Sequence, residues 1–146
     1  MFQRAAERLA SPAALDKVTA VVSSLIAHPA SINLGGELEF SGYSSQRIAP
    51  DRVRLSLFFR CLQKPRLDYS RWLHAVTDHG REPAAPDVTL PTSTWQSGAY
   101  YQDVVEFKLP AGTQRFLFGL WGRSEDTRLT IAGRPGEHEI SLDAVE

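Results

Sequence analysis

One cysteine, Cys61, stands among the 146 residues. No internal disulfide can form, so the core has to be held by packing alone. That suits a reducing compartment without excluding an oxidising one. Cys61 lies on the apolar parity of its segment, and we expect an inert core thiol rather than a nucleophile. Long apolar runs are missing too: none approaches the roughly 18 residues that a membrane-spanning helix needs. The N-terminus lacks a secretory pattern, because Arg4, Glu7, Arg8 and Asp16 interrupt it before any hydrophobic stretch. As given, the chain reads as cytoplasmic; as a piece of a membrane protein it would be non-cytoplasmic. Neither sign of charge dominates, since 16 Lys and Arg against 17 Asp and Glu leave a net charge of −1. The basic residues stand singly, unlike the clustered footprint of a nucleic-acid binder. There is no glycine-rich phosphate loop, and no serine sits in a nucleophile-elbow pattern.

What the chain does have is alternation. In Arg52-Val-Arg-Leu-Ser-Leu-Phe-Phe-Arg-Cys-Leu62, residues Val53, Leu55, Leu57, Phe59 and Cys61 share one parity, and Arg52, Arg54, Ser56 and Arg60 share the other. Period-two patterning over this length predicts a strand with one buried and one wet face. Phe58 interrupts the polar face and marks it as partly covered or adhesive. Further strands are expected at Gly36–Tyr43, Tyr69–Thr77, Tyr100–Leu109, Thr113–Trp121, Arg128–Ile131 and Glu137–Leu142, separated by Gly, Pro, Asp and Ser. Tyr69–Thr77 carries bulk on both faces, which suits a central strand. Pro83, Pro86 and Pro91 predict a long irregular connection with at most a short edge strand near Asp87–Leu90. Before Pro29 the period changes. Phe2–Ala10 reads as a short helix. Ser11-Pro12 then restarts a second, with Leu15, Val18, Val22, Leu25 and Ile26 on one face. The expected architecture is an all-β, antiparallel β-sandwich, jelly-roll or immunoglobulin-like, of seven to eight strands over residues 31–146, preceded by an amphipathic helical segment over 1–30.

Several of these stretches resemble the β-sandwich domain at the C-terminal, non-cytoplasmic end of bacterial membrane proteins related to dolichyl-phosphate-mannose-type glycosyltransferases. Gly36-Glu-Leu-Glu-Phe-Ser-Gly-Tyr43 resembles its opening strand. Leu55-Ser-Leu-Phe-Phe-Arg60 and Asp68-Tyr-Ser-Arg-Trp-Leu-His74 resemble its two core strands, with Phe59 where tryptophan is usual. Pro91-Thr-Ser-Thr-Trp-Gln-Ser-Gly98 with Asp103 resembles its most distinctive stretch, and Leu109-Pro110, Gly112 and Gly119-Leu-Trp121 its closing hairpin. The likeness runs from about Leu34 to Ile131. It implies a sandwich fold and a sugar-related setting. Catalytic residues of that family would lie in its membrane part, so none is carried over.

The residues themselves offer three candidate chemistries. Trp95, Tyr100, Tyr101 and Trp121, with Trp72, are candidates for a platform on which sugar rings stack, because aromatic rings combine rigid apolar area with a polar handle. Asp103 shares parity with Val105 and Phe107 and should face inward; its bland role is to accept hydrogen bonds from the backbone or from Thr92 and Ser93. His74, Asp78 and His79 form a weak metal-type cluster, set against a reading as ordinary strand and turn residues. The expected function is a non-catalytic module that binds a glycan or glycolipid without a cofactor or metal. The alternative is a protein-interaction module docking through the N-terminal helix or an exposed sheet face. On the first reading, Trp95→Ala weakens glycan binding without unfolding the domain.

Overall fold

In a computed structural model, which describes residues 7–8 and 22–143, the chain forms ten strands. They are β1 (Glu7–Arg8), β2 (His28–Leu34), β3 (Leu38–Ala49), β4 (Arg52–Cys61), β5 (Ser70–Thr77), β6 (Gly80–Thr89), β7 (Tyr100–Lys108), β8 (Arg115–Gly122), β9 (Thr127–Arg128) and β10 (Ile140–Asp143). All paired strands are antiparallel. One sheet has the order β1-β7-β4-β3-β2 and the other β10-β8-β5-β6, with β9 added beside β8. We call them the first and second sheets. The fold is an all-β sandwich, as the alternation predicts.

The apolar parity of β4 turns inward as a block: Val53, Leu55, Leu57, Phe59 and Cys61 are all within 1% of full burial. They meet Leu73, Ala75, Phe116, Phe118 and Leu120 from the second sheet in one continuous core. Phe40, Phe59 and Phe118 centre it, with Phe118 edge-on to Phe40 at 4.9 Å. Cys61 lies in this core, where burial, with Glu37 nearby, raises its thiol pKa. β5 is flanked on both sides, by β6 and β8, as its two bulky faces suggest.

Four sequence expectations need correction. Residues 80–89 form a full-length strand, not a short one. Pro83 and Pro86 are accommodated because β6 is an edge strand, where a missing N–H leaves no ladder bond broken. Pro29 opens a strand as well as closing the helical spacing, so the boundary expected between residues 30 and 31 falls inside β2, itself an edge. β2 fits there because Gly42, at φ 131° beside a bulge in β3, lets the chain approach; a Cβ at 42 would stand 2.8 Å from Pro29 Cα. The last two strands are shorter than their patterns, and residues 129–139 are mostly loop. Of the N-terminal helices, residues 22–25 are helical, whereas Glu7 and Arg8 pair with β7 as a strand; the remainder lies outside the described residues.

Candidate functional site

Of the five aromatic and acidic residues singled out from the sequence, Trp95 and Tyr101 come together, in the interior, and the five do not form one exposed cluster. Trp95 (2% exposed), Tyr101 (3%) and Asp103 (0%) are buried, and only Tyr100 and Trp121 retain partial exposure. Tyr100 lies on the outer face of the first sheet, because its neighbour Tyr101 takes the inward parity of β7. Trp121 lies on the outer face of the second sheet, opposite in parity to Leu120 and Phe118. These residues therefore do not share one exposed face.

The interior members have structural partners. Trp95 stacks flat on Tyr101, with ring centres 4.1 Å apart and planes 2° off parallel. The Tyr101 hydroxyl accepts from the Gln96 N–H at 2.9 Å. Asp103 accepts from Arg71 Nε at 2.7 Å, an ion pair bridging the two sheets with both side chains at most 1% exposed. Burial pushes the Asp103 carboxyl up, and the Arg71 guanidinium pulls it back. Thr92 and Ser93 are not its donors. Their partner region is 67–69: Ser93 donates through N and Oγ to Asp68, and Thr92 Oγ1 donates to the Leu67 carbonyl while accepting from Tyr69 N–H. Asp68, with the Leu67 and Tyr69 backbone, thus pins the start of the Pro91–Gly98 segment.

The outer face of the second sheet carries what the interior lacks. Trp72 and His74 project there from β5 and Trp121 from β8, since Leu73, Ala75, Phe118 and Leu120 take the inward parity. They wall a cleft of about 250 Å³ together with Arg81 and Asp87 of β6, Arg128 of β9, and His138 and Glu139 before β10. Trp72 can lie flat on the sheet because position 119, paired with it, is glycine; a Cβ there would sit 2.6 Å from the Trp72 ring and 2.8 Å from the His138 carbonyl oxygen.

Arg81 organises the cleft. Its guanidinium lies 5.1 Å from the Trp72 ring centre, its Nε donates to His74 Nδ1 at 2.7 Å, and its Nη2 meets Glu139 at 2.5 Å. The hydrogen bond from Arg81 holds the Glu139 carboxyl below its usual range. Burial, seconded by the Arg81 charge, lowers the His74 pKa below 6.5. Because Nδ1 accepts, neutral His74 carries its proton on Nε2 and is a donor. Trp121 has an analogous collar: Nε1 donates to Asp126 at 3.1 Å, and Arg123 stands 5.2 Å from the ring centre. Arg128 is exposed, and no acidic group among the described residues pairs with it.

The His74 shift has a sign that can be checked. A lowered pKa means the unfolded chain binds the proton more readily, so this contribution to stability is present above pH 6.5 and lost as pH falls through the folded value. Ring NMR titration is expected to place His74 below the ordinary histidine midpoint and to move it up in Arg81→Met, with Asp87 and Glu139 left to favour the cation. An unmoved midpoint would contradict the Nδ1 assignment.

No protein family, curated protein or solved structure matches the chain.

The remaining expectations resolve locally. His74, Asp78 and His79 have separate surroundings: His74 faces Arg81, Asp78 accepts from Gln114 Nε2, and exposed His79 bonds through its backbone to Thr77. Among the described residues, no three metal-ligating side chains gather. Phe58 is buried (2%) outside the inter-sheet core cluster, and Leu25 is the one large apolar side chain exposed among the described residues. None of the helices described there is long and apolar enough to cross a membrane. The cleft residues Arg81, Asp87, Arg128, His138 and Glu139 escape sequence reading because three separate segments supply them, β6, β9 and the loop before β10; the available signal was the shared outward parity of Trp72, His74 and Trp121.

Proposed function

We propose that the protein is a non-catalytic β-sandwich module that binds a glycan through the cleft around Trp121 and Trp72. The observation that carries this reading is the composition of the cleft: the half-buried indole of Trp121 and the 8% exposed indole of Trp72 under Arg81, beside guanidinium groups, which only donate, carboxylates, which only accept, and a neutral imidazole. A sugar ring needs this mixture, since it offers apolar C–H faces and hydroxyls that both donate and accept. The non-catalytic reading is supported by the cleft's lining among the described residues, which includes no serine, threonine or cysteine, and by Arg81, whose hydrogen bond favours the ionised form of Glu139 over the protonated form a general acid needs. The resemblance to the sandwich domains of membrane glycosyltransferase-related proteins supports the same setting. We further infer an immunoglobulin-like rather than jelly-roll sandwich. The order β3-β4-β7 faces β6-β5-β8-β10, with crossings between sheets after β4, β6 and β7.

A glycan array probed with the full chain tests the function. Trp121→Ala is expected to weaken binding to any hit about tenfold or more, with a thermal midpoint lowered by no more than about 3 °C. An array with no hits would overturn the reading. The alternative, a protein-interaction module, has Leu25 as its only large exposed apolar contact among the described residues.

A further inference from the structure

A second hollow adjoins the cleft. It has a volume of about 560 Å³ and runs from β2 across β8 to β10 under the loop that follows Ile131. His138 and Glu139 line both hollows, so this one pair is the ridge between them. The aliphatic lining of the groove is Ile32, Leu117, Ile131 and Ile140. The rim carries both signs of charge, with Arg115 and Arg134 against Glu137 and Glu139. Of these, Arg134 and Glu137 make only a long, exposed contact at 3.7 Å, and Arg115 reaches Ser141 Oγ at 3.4 Å. Such groups lose little by exchanging their partners for ligand hydroxyls.

Resting on the glycan reading above, we propose that the cleft and the groove are adjacent subsites of one site whose ligand is an oligosaccharide. One sugar ring occupies the aromatic cleft, and the chain passes over His138 and Glu139 into the groove. Continuity through the shared ridge supports an extended ligand, as the cleft alone is smaller than a typical ligand pocket of about 300–1,000 Å³. The rim favours further sugar units over an acyl chain. Leu117, Ile131 and Ile140 are 8%, 9% and 4% exposed and Ile32 is half-buried, an apolar strip that suits the C–H edges of pyranose rings. The groove has no aromatic lining, so it extends binding and does not anchor it.

The test is calorimetric, on the full chain, with three pairs of probes: glucose and maltotetraose, mannose and mannotetraose, N-acetylglucosamine and chitotetraose. The octyl glycoside of each monosaccharide is the control. For at least one pair, the tetrasaccharide is expected to bind about tenfold more tightly than its monosaccharide. Ser141→Arg, which places a long side chain in the groove from an exposed position on β10, is expected to erase that gain and leave monosaccharide affinity unchanged. Equal affinities for the two members of every pair would overturn the two-subsite inference and leave the glycan reading standing. A gain with the octyl glycoside matching that of the tetrasaccharide would overturn it in favour of an acyl chain. A gain that survives in Ser141→Arg would also overturn it. If no probe binds and the glycan array is empty, both readings fall together.

Discussion

Asp103→Ala is expected to lower the stability of the fold by about 3–5 kcal/mol, the usual cost of stripping one partner from a buried ion pair. The geometry places it in that class. Arg71 and Asp103 are joined at 2.7 Å, with side chains 1% and 0% exposed, one from each sheet. Without the carboxylate, the Arg71 guanidinium keeps, among the described residues, only a 3.4 Å contact to the Pro86 carbonyl. A domain of this size has about 5–15 kcal/mol in all, so the single variant is expected to be partly unfolded at physiological temperature. Arg71→Ala should cost a similar amount, because it leaves a buried carboxylate that has no cation. The double variant Arg71→Met/Asp103→Leu separates the cost of breaking the pair from its net worth. Apolar replacements of similar volume often match or exceed a buried pair, so most of the lost stability is expected to return. Urea unfolding at unchanged slope measures all three. Single variants losing less than about 1 kcal/mol would show that the pair is solvated in solution, against its burial here.

This pair also shows how far the sequence could be read. Arg71 shares parity with Leu73 and Ala75, and Asp103 shares parity with Val105 and Phe107. Each is a charge on a buried face, and a buried charge needs a partner of opposite sign. The pattern therefore required partners without naming them, because the contact is between sheets and 32 residues apart. Periodicity gave the strands for the same reason that it could not give this contact: it is a local signal about which face a residue takes. It succeeded for β4 and for the flanked position of β5. It failed for β6, where prolines that forbid a central strand are harmless on an edge, and for β2, where one proline both ended a helical spacing and opened a strand. The cleft was the least legible part. Trp72, His74 and Trp121 could be assigned one outer face from parity, but Arg81 reaches them only because the β5–β6 hairpin sets Val76 opposite it. His138 and Glu139 come from an irregular loop with no period at all.

Trp95→Ala is expected to lose about 3–5 kcal/mol, reversing its role as a binding probe. The indole is 2% exposed, lies flat against Tyr101 and packs at 6.1 Å from Phe59. Truncation leaves a cavity at the end of the core that backbone pinned by Asp68 and by the Tyr101–Gln96 hydrogen bond cannot readily close. For a chain of this length, the loss corresponds to a thermal midpoint lower by roughly 10–16 °C. Trp121→Ala is the matched comparison. Its indole is half-buried on the outer face, outside the core cluster, so its removal should cost no more than about 1 kcal/mol. The two tryptophans are thus predicted to separate stability from recognition. Calorimetric unfolding should register Trp95 and pass over Trp121; glycan affinity, measured well below the lowered midpoint, should do the reverse. A Trp95→Ala protein with the wild-type midpoint and weakened binding would return that residue to the ligand and remove the outer cleft from the argument.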